Sequence, residues 1–125
     1  MPNLSIDIYG PGRDITARAS AAVATSRFVK ISGNTTEGVP AVAHADAGGR
    51  IAGVAKYPAA TGELVGLARG ASRVVRVAAA GTIPAFAEVE VGADGKAVAK
   101  TSGIAVGYAL TAAASGTDAA VSLYH

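Results

Sequence analysis

Glu88-Val89-Glu90-Val91-Gly92-Ala93-Asp94-Gly95-Lys96-Ala97-Val98-Ala99 decides how this chain is read. Acidic and branched apolar residues alternate strictly up to Val91, and an apolar-rich run resumes at Ala97. Alternation of period two is the mark of a strand with one covered face. Between the two runs stands Asp94-Gly95, and both residues tolerate the positive φ that a type I′ hairpin turn demands. The stretch is therefore expected to be two antiparallel strands and a tight turn. On such a strand Glu88 and Glu90 share one face about 7 Å apart, opposite Val89 and Val91.

Working outward, residues 50–56, 63–68, 72–78, 85–91, 96–100, 103–110 and 118–124 all read as strands, as do 14–18 and 27–31. Ala60-Thr61-Gly62, Gly81 and Ser115-Gly116 punctuate them, as small turn residues do. Residues 32–38 are expected to be a polar turn region, and 40–49 an Ala-rich loop or irregular strand. Ala content supports at most a helical turn within 19–26, which carries no apolar stripe. The segment 4–8 (LSIDI) alternates like a strand and ends at Gly10-Pro11-Gly12, which breaks any regular element. Short strands at regular spacing favour a closed or sandwiched all-β domain over βαβ units. An N-terminal arm with the first short strands is expected over 1–26, and a β-barrel-like domain over 27–125.

A weak internal echo accompanies this pattern. Ile51-Ala52-Gly53-Val54-Ala55, followed by Ala59-Ala60-Thr61-Gly62 and Leu64-Val65-Gly66-Leu67, resembles Ile104-Ala105-Val106-Gly107-Tyr108-Ala109 with Ala113-Ala114-Ser115-Gly116 and Ala120-Val121-Ser122-Leu123. Gly53 and Gly107 inside strands point to bulges or close backbone approach, as at a barrel corner.

Composition bounds the rest. With 125 residues, one compact domain is expected. Half the residues are apolar and 16% charged, which excludes a disordered chain. No apolar run is long enough for a membrane helix, and the start lacks the charged and apolar regions of a secretory signal. Zero Cys excludes disulfides and thiol chemistry. Ala supplies 30 residues, nearly as many as the remaining 33 hydrophobic residues together. Small side chains bury little while the backbone entropy cost stays, which leans toward burial against a further subunit or a larger body.

Chemistry-bearing patterns are sparse. The formal charge is +2. The densest basic stretch holds Arg69, Arg73 and Arg76, with no aromatic residue between them to stack a base, so solvated charges or interface pairs are expected and nucleic-acid binding is not. His44 with Asp46 offers only two of the ligands a zinc site needs, and His44 reads as a solvated loop residue. Ser32, His44 and Asp46 make a triad only on paper, since no nucleophile elbow surrounds any Ser. The Glu88–Glu90 spacing is compatible with a carboxylate pair, but a polar strand face accounts for it better. Gly92–Lys96 lacks the helix that a phosphate loop requires. Phe28, Phe86, Tyr57 and Tyr108 are expected to fill the core or an interface. No catalytic residue, cofactor or metal is expected. An extended amino-terminal arm with Ile6, Ile8, Tyr9 and the following Arg13 is the candidate contact with a subunit or a larger surface, by strand addition or as an edge strand of its own domain.

One resemblance goes further. Gly81-Thr82-Ile83-Pro84-Ala85, Glu88-Val89-Glu90-Val91, Asp94-Gly95-Lys96-Ala97-Val98, Gly103–Ala109, Ala113-Ala114-Ser115-Gly116 and Val121-Ser122-Leu123 resemble the small capsid decoration (cement) proteins of tailed bacteriophages. Phe28-Val29-Lys30 and Gly53-Val54-Ala55 with Gly62-Glu63 are similar to that family's upstream strands, so the likeness runs from about Arg27 to Leu123. It implies a small β-barrel or tulip-like domain, a homotrimer, and a partner in the major capsid protein on the outer surface of an icosahedral head. It also implies manufacture in the host cytoplasm, with no membrane or nucleic-acid partner. The expected role is to stabilise the expanded shell by bridging capsomers. The competing readings are another virion subunit (head fibre or tail tube), a host-glycan-binding module, or a small hydrolase using Glu88 and Glu90.

Overall fold

The computed structural model describes residues 6–125 as ten short strands and one 3-10 turn. Strands β1 (Ile15–Ala19), β2 (Phe28–Thr36), β3 (Val39–His44), β4 (Gly53–Ala55) and β5 (Leu64–Ala68) close into a five-stranded barrel in the order β1-β3-β2-β4-β5. Strands β6 (Val74–Ala78), β7 (Glu88–Val91), β8 (Ala97–Ala99), β9 (Gly107–Ala109) and β10 (Asp118–Leu123) form a second sheet in the order β6-β10-β9-β7-β8.

The second sheet repeats the first. In barrel 1, Phe28 pairs with Val54 and Val29 with Gly53; in the second sheet Glu88 pairs with Tyr108 and Val89 with Gly107. Val54 pairs with Ala68, as Tyr108 pairs with Ser122. Ile15 pairs with Leu67, as Val75 pairs with Val121. Connections repeat too: Val23 and Ala59 exchange both backbone hydrogen bonds, and so do Ile83 and Ala113. Even the parallel seam recurs. Ala19 lies opposite Val42 in the β1–β3 pair, and a single parallel bridge, Ala79 to Ala97, joins the end of β6 to β8. The molecule is therefore a duplicated barrel, and the sequence echo marks the closing hairpins of its two copies.

Alternation explains what is inside. In barrel 1, Ala17, Ala19, Val29, Val42, Ala55, Val65 and Leu67 turn inward and are buried. A five-stranded barrel has room for little more than small and branched side chains. The Ala-rich composition is thus a consequence of narrow barrels, and it is a weaker argument for a missing partner than composition alone suggests. Gly53 and Gly107 sit where a Cβ would strike the neighbouring strand, 2.8 Å from Ala68 O and 2.4 Å from Ser122 O. Close backbone approach is the reason for both glycines.

The outward face of barrel 1 is not all surface. Phe28 and Val54 point away from their own barrel and are buried in the apolar cluster of the second one, with Ile83, Val89, Val121 and Leu123. The Ser26–Phe28 segment lies between the end of β6 and the turn after β7. Ala78 N–H donates to Ser26 O at 2.9 Å, and Arg27 donates to Asp94 O at 3.1 Å. Phe28 thereby plugs the side of barrel 2 that one bridge alone holds shut.

Several expectations are revised. β1 and Val23 belong to the core of barrel 1, so the division expected at residue 26 cuts through that barrel. Residues 32–36 continue β2, and 39–44 form β3, because the hairpin turns only at Glu37-Gly38, both at positive φ. Residues 19–26 hold no helical turn; Val23 is tied into the barrel instead. Of the strand expected over 4–8, residues 4 and 5 lie outside the described residues, and 6–8 are in no strand. The turn at Asp94-Gly95 is as expected, with φ of 55° and 70°.

Candidate functional site

The amino-terminal segment reaches β1 through Gly10-Pro11-Gly12, where Gly12 takes a φ of 72° that suits glycine. Ile6 and Ile8 are 94% and 86% exposed. The residues just after them are moored. The Arg69 guanidinium donates to Gly10 O at 2.7 Å and stands over the Tyr9 ring at 5.8 Å. Tyr9 Oη donates to Gly38 O at 3.4 Å, at the tip of the β2–β3 hairpin. Arg13 N–H reaches back to Gly10 O at 3.5 Å. So Tyr9 and Arg13 are brought together around Gly10, while Ile6 and Ile8 project beyond them.

That hairpin is the main difference between the two copies. β2 and β3 run for 9 and 6 residues, against 4 and 3 in β7 and β8. Its outer part, from Ile31 to Gly38, is exposed throughout. A groove of about 570 Å3 opens beside it, lined by Lys30, Ile31, Arg50 and Ile104 among others.

Charged groups at the base of the segment tie the copies together. Asp14 accepts from Lys56 at 2.6 Å and from Arg73, which precedes β6. These bonds, Lys56 first and then Arg73, hold its carboxyl below the usual range. Of the basic stretch, Arg73 is therefore an interface pair and Arg69 the mooring of the amino-terminal segment. Sequence reading passed over that mooring role, because nothing local to Arg69 announces Tyr9 or Gly10.

The residues with chemistry on paper do not converge. Ser32 Oγ lies 2.6 Å from Ser20 Oγ, Asp46 pairs with Lys30 at 2.8 Å, and His44 Nε2 accepts from Ala24 N–H at 3.0 Å. His44 is thus a half-buried strand residue with a structural hydrogen bond, not a solvated loop residue. Burial, reinforced by the Arg27 charge, lowers its pKa from the ordinary imidazole value.

Glu88 and Glu90 do share a face, yet their surroundings differ. Glu88 is exposed and accepts from Tyr124 Oη at 2.9 Å. Glu90 is buried, and accepts from Thr101 N–H and from Thr101 Oγ1, the latter at 2.8 Å. The Thr101 backbone bond, then its hydroxyl, and lastly the Gly103 and Ser102 amides hold the Glu90 carboxyl below its ordinary pKa. Gly103 leaves room for this carboxylate, since a Cβ there would stand 2.1 Å from Glu90 Oε2. This carboxylate organises a loop.

Phe86, expected in the core or an interface, lies outside the core. It is 77% exposed and has φ of 68°, a conformation costly for a bulky side chain. Its counterpart Ser26 shares the positive φ, so the turn belongs to the barrel and the side chain does not.

Comparison with known proteins places this architecture. No curated protein sequence matches the chain. Among solved structures, the "head fiber gp8.5 N base" of bacteriophage phi29 has the same fold, with a TM-score of 0.75 and 24% identity over 89% of this chain and 92% of that one. The model of the phage cement protein family matches residues 10–123. Spanned almost end to end by that match, the chain belongs to the phage cement proteins, structural proteins associated with the phage head.

Proposed function

We propose that this protein binds the outer surface of an icosahedral phage head and stabilises the expanded shell by bridging neighbouring capsomers. The observation that carries this reading, beside family membership, is the moored segment whose large apolar side chains Ile6 and Ile8 meet solvent in the lone chain. Tyr9 and Arg13 hold the root of the segment at Gly10 and Gly38. The major capsid protein is the partner that covers it. A bound subunit acts by mass action: it adds binding free energy only to the shell that presents the site, and many weak sites add up over a head. The test is to compare heads with and without the protein under heat and chelators. Undecorated heads are expected to rupture first, and equal survival would remove the cement role. Co-sedimentation with empty heads should fall on Ile6→Asp and Ile8→Asp.

A second reading, the base of a head fibre, is favoured by the fold shared with the phi29 head fibre base. Electron microscopy of particles separates the two, since a fibre projects far beyond a barrel pair.

A further inference from the structure

We propose that the open edge of β6 is a docking slot for an extended acidic strand of a partner protein. Of the basic stretch, Arg69 and Arg73 have partners within the chain, while Arg76 makes no ion pair among the described residues. Arg76 lies on β6, the outermost strand at one end of its sheet. Ala79 N–H donates to Thr117 O at 2.8 Å, and Arg73 O accepts from Leu123 N–H at 2.9 Å. The main-chain groups of Arg73, Val75, Val77 and Ala79 therefore face β10, and those of Val74, Arg76 and Ala78 point the other way. There Ser26 O takes the Ala78 N–H, and Ala97 O takes the Ala80 N–H, each at 2.9 Å. Val74 and Arg76 are exposed, and their outward main-chain groups have no partner among the described residues. Such unpaired groups are a template for an added strand.

The space beside this edge is shaped to receive one. A groove of about 240 Å3 opens between residues 73–76 and barrel 1. Its barrel 1 wall is apolar, made by Val54, Ala55 and Ala68, and Lys56 stands at its border. Val74, 52% exposed, adds an apolar side chain from β6. Neighbouring strands lie about 4.8 Å apart, so a chain laid along Val74 and Arg76 falls within the groove.

Charge selects the occupant. Lys56, Arg73 and Arg76 border the groove, and the carboxylate bonded to the first two is Asp14, so positive charge is in surplus. An incoming strand turns successive side chains to opposite sides, so a chain of alternating acidic and apolar residues meets both the cations and the apolar wall. Two β6 edges laid against each other would instead oppose cation to cation, which disfavours a second copy here. The slot is separate from Ile6 and Ile8, and the inference stands without the bridging reading.

The probe is a labelled peptide in which Glu and Val alternate, titrated against the purified full chain by fluorescence anisotropy, with amide exchange followed by NMR. Saturable binding is expected, weakening as added salt screens the cations. The Val74 and Arg76 amides should exchange fast in the free chain and slow by roughly tenfold or more with peptide bound. Arg76→Glu should weaken binding by roughly tenfold or more, because it sets like charges together. Arg76 is exposed and unpaired, so folding should persist by circular dichroism. The same peptide N-methylated on alternate residues loses main-chain donors and should bind roughly tenfold more weakly to the unaltered protein, a test that needs no variant. Absence of binding, equal binding of a peptide alternating Lys and Val, or binding that leaves both amides in fast exchange overturns the proposal. Protection of the two amides on raising the concentration of the chain alone overturns the acidic strand in favour of a second copy. No phage heads enter this experiment, so its failure leaves the proposed head function standing, and failure of head decoration leaves the slot standing.

Discussion

Phe28 and Glu88 hold the same rung of the duplicated barrel, yet Phe28 is wholly buried beneath barrel 2 while Glu88 faces solvent. One position thus serves as the joint of the molecule in one copy and as open surface in the other. Phe28→Ala would open a cavity in the apolar cluster of the opposite barrel. A loss of about 3–5 kcal/mol is expected in urea denaturation. Because the cluster is shared, unfolding should stay a single transition by both fluorescence and circular dichroism; two separated transitions would show that the barrels are independent.

Relief of backbone strain gives a result of opposite sign. Phe86→Asn keeps the turn and removes a bulky side chain from φ 68°. The monomeric fold should gain about 0.5–1 kcal/mol, read as a higher melting temperature at low concentration. A lower melting temperature would mean that the Phe86 ring supports its own chain.

Glycine positions separate close approach from torsion. Gly107→Ala drives a Cβ to 2.4 Å from Ser122 O and 2.7 Å from Val121 Cγ1, so β9 and β10 must part. A loss of about 1–3 kcal/mol or more is expected. At Gly116 the Cβ meets nothing within 4 Å, and only φ of 85° resists it, so Gly116→Ala should cost about 1–2 kcal/mol. A Gly107→Ala protein as stable in thermal melts as the parent would contradict the close strand contact.

His44, Glu90 and Asp14 set the acid response. The imidazole of His44 has a lowered pKa in the fold, so the unfolded chain takes up its proton more readily. Stability from this residue is present above about pH 6.5 and declines as pH falls from there toward the folded value. His44→Ala should cost about 1 kcal/mol at pH 8, since Ala24 N–H loses its acceptor, and should erase the change between pH 8 and pH 5.5. The check is a set of urea curves across that window.

Glu90 acts lower on the scale. Its folded pKa is depressed, so its contribution is present above about pH 4.5 and disappears as pH falls through the folded value. Asp14, with its own ordinary value of 3.8, works in the same direction. Glu90→Gln should lower the melting temperature at pH 7 and flatten its fall between pH 5 and pH 3. An unchanged slope would assign acid sensitivity elsewhere.

How much of this was legible beforehand depends on the range of the interaction. Asp94-Gly95 and the alternation around it are local signals, and the β7–β8 hairpin follows from them directly. Gly53 and Gly107 interrupt apolar strand runs, and that local signal matches the close backbone approach seen between β4 and β5 and between β9 and β10. The polar run 32–36 misled because its strand pairing comes from β3 and owes nothing to apolar alternation. The duplication showed only in its closing hairpins, since Phe28 and Glu88, or Val54 and Tyr108, share a rung with no chemical likeness. Of the candidate contacts, Tyr9 and Arg13 proved neighbours through Gly10, but the mooring by Arg69 spans 59 residues and leaves no trace in spacing.

Phe28 completes a core that its own barrel does not own, and this has a bearing on how the molecule behaves when diluted. Were the halves separate polypeptides, their union would depend on concentration and would lapse on dilution. Joined on one backbone, the mate is always at hand, at an effective concentration set by a tether of a few residues. Dilution alone therefore does not part the two halves; only unfolding of the joint at Phe28 does.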